Sequence, residues 1–219
     1  MASVILYYAH PGQRYSRVNR HMFQAASALT DITVVDLYAE YPRFDINIDR
    51  EQERLRNHDV IVLQFPLFWY STPSLVKEWI DLVFEHGFAY GAGGTALSGK
   101  VLQLAITAAG PEDAYTDIGY QRHGLLTFLT PLQQTARLCH MRFAPPYVLY
   151  GALHTEQHDA ANEQAEPTST SANHIAGFTG LLAALRDDQY SVDKDASHIV
   201  QAQHLRSVAA ANKGDQTHG

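Results

Sequence analysis

Five short apolar runs, each divided from the next by a helical pattern, constrain this chain more than any other feature. They are "SVILYYA" (3–9), "ITVVDLY" (32–38), "DVIVLQF" (59–65), "KVLQLAITA" (100–108) and "PYVLYG" (146–151). Their residues are largely β-branched, aliphatic or aromatic, with little of the polar alternation that marks a strand wetted on one side. A strand apolar on both faces must be covered on both faces. Strands joined through helices run parallel. The helical patterns fall at 16–29, 49–57, 73–85, 124–140 and 173–186.

This pattern predicts an α/β three-layer sandwich, a five-stranded parallel sheet with helices on both faces. The flavodoxin-like strand order 2-1-3-4-5 is the common five-stranded solution. Residues 1–187 are expected to form this domain and 188–219 a polar C-terminal tail. Within the tail, "ASHIVQAQHLRSV" has the spacing of a weak amphipathic helix. Residues 154–172, rich in Pro, Ser and Thr, read as a long loop.

A net charge of −7 argues against a nucleic-acid partner, because a phosphate backbone selects a basic stripe. Cys139 is the sole cysteine, so no intrachain disulfide can form and a reducing compartment fits. The N-terminus lacks a basic stretch before its apolar run, and no apolar run reaches the roughly 20 residues that span a bilayer. The expectation is a cytoplasmic protein.

In open α/β sheets ligands bind beyond the carboxyl ends of the strands, so the loops after the first, third and fourth runs carry the functional reading. In the first, "AHPGQRYSRVNR", His10-Pro11 closes the strand and Ser16 is placed to cap the helix. Helix N-termini suit phosphate, and Arg14, Ser16, Arg17 and Asn19 add donors. An ordinary capped helix with solvated arginines explains the same residues. No G-x-G-x-x-G follows the strand, which disfavours a dinucleotide-binding Rossmann turn.

The second loop, "FPLFWYSTPS", leaves Phe68, Trp69 and Tyr70 in a turn, with Thr72 as cap and Pro73 at the first helical position. Their faces suit a flat conjugated ring, and equally suit packing in a core or interface. The third, "TAAGPEDAYTDIGYQRHG" (107–124), is long for a strand-to-helix connection and carries Tyr115 and His123, two proton donors. Solvated bystanders are the plain alternative. "GTALSGKV" (94–101) imitates a nucleotide phosphate loop, but Val101 stands where Ser or Thr would bind Mg²⁺ and the glycines precede a strand. No metal is expected: His154 and His158 lie four apart in a polar stretch without a metal-site motif.

Read together, "YYAHP", "SRVNR", "YPRFDINIDREQ", "FPLFWYSTPSLVKEWIDLVFEHGFAYGAGGTALSGK" and "TAAG" resemble the flavodoxin-like NAD(P)H:quinone oxidoreductase family. Within it the similarity is greatest to the ancillary flavoproteins of glutathione-regulated potassium-efflux systems, running from about Val4 to Tyr150 and weakly to Arg186. The resemblance implies noncovalent FMN, with FAD as the alternative, NAD(P)H as electron donor and a quinone as acceptor, turned over by a ping-pong mechanism. It implies that His10, Ser16, Arg17, Val18 and Asn19 meet the phosphate and ribityl chain. Leu67, Phe68, Trp69 and Tyr70 would run along the isoalloxazine, and Thr107, Ala108, Ala109 and Gly110 would cradle its other edge. Tyr115 and, after a small shift, His123 match the family's catalytic tyrosine and histidine. Tyr90 matches a tyrosine that reaches into the partner subunit's pocket of a homodimer. A membrane potassium-efflux antiporter is an implied partner, which would make the protein peripheral to the inner membrane; a flavodoxin-like electron carrier is a third reading. Two departures bear on the site. The family reads Thr-Thr-Gly-Gly where this chain has Thr107-Ala108-Ala109-Gly110, and Phe68 replaces a common glutamine. Alanine restricts close approach and positive φ.

Overall fold

The computed structural model describes residues 1–12, 17–153, 169–190 and 198–201. Strand β1 (Val4–Tyr8) lies between β2 (Ile32–Asp36) and β3 (Val60–Pro66), and β3 pairs in turn with β4 (Val101–Thr107); every ladder is parallel. The outer edge of β4 takes two short strands, β5 (Arg142–Phe143) and β6 (Tyr147–Leu149). The order is therefore β2-β1-β3-β4 with β5 and β6 sharing the fifth position, the flavodoxin-like arrangement.

The strand expected over 146–151 is β6, shortened to 147–149; the two-residue β5 before it was not expected, and the reason the two stay separate is local. Pro145 and Pro146 stand between the halves and bring no N–H to the ladder. Gln103, on β4, fills part of the gap by donating its side-chain Nε2 to the Pro145 carbonyl at 2.9 Å.

Alternate residues of the central strands feed two cores, the period-two signature of a sheet buried on both sides. Ile5, Tyr7, Ile61, Leu63, Leu104 and Ile106 pack under α3 (Ile48–Arg56), α4 (Ser74–Val83), α5 (Leu125–Phe128) and α6 (Thr130–Leu138). Val4, Leu6, Val60, Val62 and Ala105 pack under α1 (Arg17–Ser27) and the last helix (Ser169–Arg186). The short α2 (Leu37–Glu40) cuts the second strand to 32–36: the Asp36 carboxylate accepts from Tyr38 and Ala39 N–H at 3.1 Å and starts a helical turn. With α2 placed, the helix at 169–186 is α7.

Other boundaries also moved. The helix expected over 124–140 breaks at Leu129, because Pro131 fits only the first turn of a helix. Thr72 does not cap α4; Pro73 is the N-cap residue and makes no side-chain cap bond. In the tail, Val200 is extended, bridging Tyr147 in parallel, so the described part of the expected amphipathic helix is not helical.

The polar helix α3 buries a carboxylate. Glu51 is fully inaccessible and accepts from Tyr41 Oη at 2.5 Å, Arg54 Nη1 at 2.5 Å and Trp79 Nε1 at 3.1 Å. A buried charge persists when it is paired and hydrogen-bonded in this way. Its neighbour Gln52 donates to Glu85 Oε2 at 2.8 Å, tying α3 to the loop after α4.

His174 of α7 is buried against Tyr147, ring centroids 4.4 Å apart and nearly parallel, and its Nε2 has no partner among the described residues. Burial lowers its pKa to about 3. The folded state thus holds it neutral, while the unfolded chain protonates near 6.5. Its stabilising effect is complete above that pH and is lost as pH falls toward 3. At pH 5 the loss reaches up to about 2 kcal/mol. His174→Phe, which keeps the ring stack, should narrow the gap between urea midpoints measured at pH 7 and pH 5; an unchanged gap would refute this assignment.

Candidate functional site

The site begins with register. Tyr8 of β1 pairs with Gln64 of β3, and Pro66 of β3 pairs with Thr107 of β4, so the three strands end together and their loops emerge side by side. A buried polar chain fastens these ends. Ala9 N–H donates to the Gln64 carbonyl at 2.9 Å, and Gln64 Nε2 donates to the Asn19 carbonyl at 2.7 Å. Asn19 Nδ2 then donates to Thr107 Oγ1 at 2.8 Å, while Leu67 N–H takes the Thr107 carbonyl at 2.8 Å. Thus α1, β3 and β4 are linked directly beneath the loops.

Above this chain lies a cleft of about 110 Å³ lined by His10, Asn19, Pro66, Leu67, Phe68, Thr107, Ala109, Ala152 and Leu153. Two buried polar atoms on its lining residues have no partner among the described residues: His10 Nδ1 and Asn19 Oδ1. Such orphans are rare in folded proteins and mark places where a ligand supplies the missing bond. Burial lowers the His10 pKa, opposed by the Pro11 backbone, and its ring meets Phe68 edge-on at 5.6 Å.

Two larger clefts, of about 500 and 480 Å³, open at the opposite edge, around the start of β4. Their polar groups are engaged with one another. Lys100 Nζ donates to the Arg56 and His58 carbonyls, and Asp59 accepts from Ser3 N–H and Oγ. Size alone does not make a site. The smaller cleft has the convergent, unsatisfied groups.

Its outer wall is a strained turn. Phe68 and Ser71 exchange both backbone hydrogen bonds at 3.0 Å, and the residues between them, Trp69 and Tyr70, have φ of 48° and 65°. This is the type I′ pattern, for which Asn-Gly is the favoured sequence. Placing two aromatics there costs on the order of 1–2 kcal/mol each. The conformation turns Trp69 outward, 92% exposed, and leaves Phe68 and Tyr70 partly exposed.

Beyond Tyr70 lies a packed aromatic group. Tyr70 meets Phe128 of α5 at 4.9 Å, and Phe128 also meets Tyr115 at 6.3 Å and His123 at 6.0 Å. Tyr115 is buried and packs on Tyr150 at 5.5 Å. Burial raises the Tyr115 pKa, with Tyr120 and Tyr70 adding to the rise and the Gly110 amide opposing it. His123 stays exposed at the edge of this group.

The remaining expected site residues separate by position. Arg17 opens α1 beside the cleft, and Ser16, like Arg14, His154 and His158, lies outside the described residues. Val18 sends its side chain into the core, so only its backbone is open to a ligand. Among 107–110, the Ala108 N–H is committed to the Leu149 carbonyl at 2.8 Å and the Gly110 amide faces the Tyr115 hydroxyl, which narrows the amide donors to Ala109. Neither alanine has a positive φ, so the replacement of glycine introduces no backbone strain. Tyr90 stands apart from the cleft on the loop between α4 and β4, edge-on to His86 at 5.6 Å. Phe128, Tyr150, Ala152 and Leu153 were not expected. Phe128 reaches Tyr115 only because the helix breaks after it, and the other three follow from the end of β6 reaching the same sheet edge as β4. Among the described residues no group of three or more His, Cys, Asp or Glu could hold a metal, and no helix is long and apolar enough to cross a membrane.

This order of strands, with a cleft beyond the carboxyl ends of β1, β3 and β4, defines a flavodoxin-like protein. The chain belongs to the family described by the flavodoxin-like fold, which it matches over residues 2–170. It is 48% identical over 151 residues to the glutathione-regulated potassium-efflux system ancillary protein KefG of Cronobacter sakazakii, covering 69% of this chain and 82% of that protein. Among solved structures it is similar to the general stress protein 14 of Treponema denticola in complex with FMN: 31% identity, TM-score 0.71, 82% of this chain and 99% of that one. It is also similar to a structure described as a thermophilic tryptophan halogenase from Streptomycin violaceusniger: 36% identity, TM-score 0.72, 80% of this chain and 95% of that one.

Two substitutions probe this architecture. Trp69→Asn removes an exposed side chain from a left-handed position that asparagine tolerates. It should raise stability by about 1 kcal/mol, or Tm by about 2–4 °C. A lowered Tm would show that the turn is not strained. Thr107→Val strips the acceptor from buried Asn19 Nδ2 and should cost about 1–3 kcal/mol in urea unfolding, with the slope unchanged.

Proposed function

We propose that the chain is an FMN-dependent oxidoreductase that passes two electrons from NAD(P)H to a quinone. The observation that carries the reading is a pair of buried polar atoms without a partner among the described residues, His10 Nδ1 and Asn19 Oδ1, on two side chains that line a cleft with Phe68 in its wall. A similar protein of known structure holds FMN, which supports the choice of flavin.

The residues present fit that group. Asn19 Oδ1 accepts from a ribityl hydroxyl, and the Arg17 guanidinium and the N-terminal N–H groups of α1 suit the phosphate. A phosphate beside His10 would favour its cation and reverse the downward pKa shift that burial imposes. Leu67, Phe68, Trp69 and Tyr70 would offer the ring an apolar wall, and the Ala109 amide would offer a hydrogen bond to its polar edge. FMN, when bound, supplies the hydride chemistry; the protein binds, orients and tunes it. The partly exposed aromatics leave one face open for donor and acceptor to use in turn. That arrangement gives ping-pong kinetics. In this reading the working unit is a homodimer, with Tyr90 extended toward the partner from a loop that Gln52 and Glu85 hold in place.

A second reading has a specific observation behind it, the 48% identity to a potassium-efflux ancillary protein. There the chain would be a cytoplasmic subunit seated on a membrane antiporter, with the flavin serving assembly more than turnover. The discriminating experiment adds FMN or FAD to purified protein, records the absorbance spectrum, and follows NAD(P)H oxidation with a panel of quinones at varied concentrations. Parallel double-reciprocal lines are expected for the reductase. Intersecting lines would overturn the shared-face mechanism, and retained flavin without turnover would favour the ancillary role.

A further inference from the structure

We propose that Tyr120 selects the electron acceptor, its hydroxyl donating a hydrogen bond to a carbonyl oxygen of the quinone at the rim of the cleft. The inference rests on the FMN-dependent reductase reading and specifies which residue of that site recognises the oxidising substrate.

Tyr120 is not one of the residues that the family pattern marks. Its place is shown by what surrounds Gly110, the end of the cofactor loop. A methyl group built on Gly110 would lie 2.8 Å from the Tyr120 hydroxyl oxygen and 3.3 Å from Cε2 of Tyr115. Both tyrosines therefore rest on one glycine, and that glycine adjoins Ala109, which lines the cleft. The need at this position is space, since Gly110 has no positive φ.

The two phenols differ in freedom. Tyr115 is 9% exposed and wedged between Phe128 and Tyr150, so it can shape the wall but cannot follow a ligand. Tyr120 is 70% exposed, and its ring is not consumed by packing. Its backbone is nonetheless fixed. Gly119 N–H donates to Thr116 Oγ1 at 2.9 Å, and Gln121 N–H donates to the Ala114 carbonyl at 3.1 Å. Any side chain at Gly119 would collide with the Asp113 and Ala114 carbonyls at 2.4 Å. A tightly built loop thus presents one unencumbered hydroxyl beside the cofactor cradle. A hydroxyl so placed discriminates between oxidants that carry a carbonyl acceptor and those that do not.

The test compares wild type with Tyr120→Phe, which deletes only the oxygen at an exposed position. Both are loaded with FMN and assayed with menadione and with ferricenium, which has no hydrogen-bond acceptor. Loss of one hydrogen bond, about 0.5–1.5 kcal/mol, corresponds to a rise of about two- to tenfold in the KM for menadione. The menadione kcat, the ferricenium KM and the FMN Kd should not move. A readout without turnover accompanies this: binding of anthraquinone-2-sulfonate to the oxidised, FMN-loaded protein without NAD(P)H, followed by flavin fluorescence, should weaken by the same factor. If wild type turns over and the variant matches it, or if both acceptors shift together, the proposal fails alone. If wild type neither holds FMN nor oxidises NAD(P)H, the reductase reading falls and takes the proposal with it.

Discussion

The carboxyl edge of the sheet is fastened by one buried polar chain, in which Gln64 reaches Asn19 and Asn19 reaches Thr107. The strands around it are apolar and would pack about as well in other azimuthal arrangements; hydrogen bonds are directional and would not. The chain therefore does for the sheet's carboxyl edge what packing alone cannot. It sets the first turn of α1 against the ends of β3 and β4, and with them the three loops. It also leaves Asn19, a residue that lines the cleft, with an Oδ1 that has no partner among the described residues.

Around that anchor the protein distributes rigidity unevenly. On the far side of the sheet, Glu51 gathers Tyr41, Arg54 and Trp79 into a charged knot that locks α3 to α4. Next to the cleft, the 68–71 turn holds two aromatics in left-handed conformations that such residues avoid. Strain of this kind persists only where the surroundings over-determine it, and it clusters where function requires a particular presentation. The pairing makes sense physically: α4 follows the turn directly, and a helix firmly seated by its Trp79 side can hold a turn that would relax if its end were free.

Much of the fold could be read from residue order because parallel strands buried twice leave an unmistakable apolar run. What could not be read was decided by single polar or cyclic residues. Asp36 turned "VVDLY" from strand into helix start by bonding its own neighbours. The two-residue β5, set off from β6 by Pro145 and Pro146, is too short to announce itself by hydrophobicity. Thr72 has the chemistry of a cap, yet Pro73 took the position. For the site, the topological rule pointed to three loops, and residues of all three line the small cleft. The aromatic company of Tyr115 was not legible. Phe128 and Tyr150 are distant in sequence from Tyr70, and only the break before α6 and the reach of β6 bring them near. Val18 shows how a residue inside a motif can pack into the core while its neighbour Asn19 lines the cleft.

The two-piece fifth strand has a consequence for the whole assembly. A sheet edge normally offers unpaired N–H and C=O groups to any passing chain. Here the Val200 N–H takes the Pro146 carbonyl and the Val200 carbonyl takes the Val148 N–H, so a stretch arriving from beyond α7 is laid along β6. Segments past the last large helix are thus part of the sheet's closure. Removing them as dispensable would uncover a sticky margin and invite self-association through it.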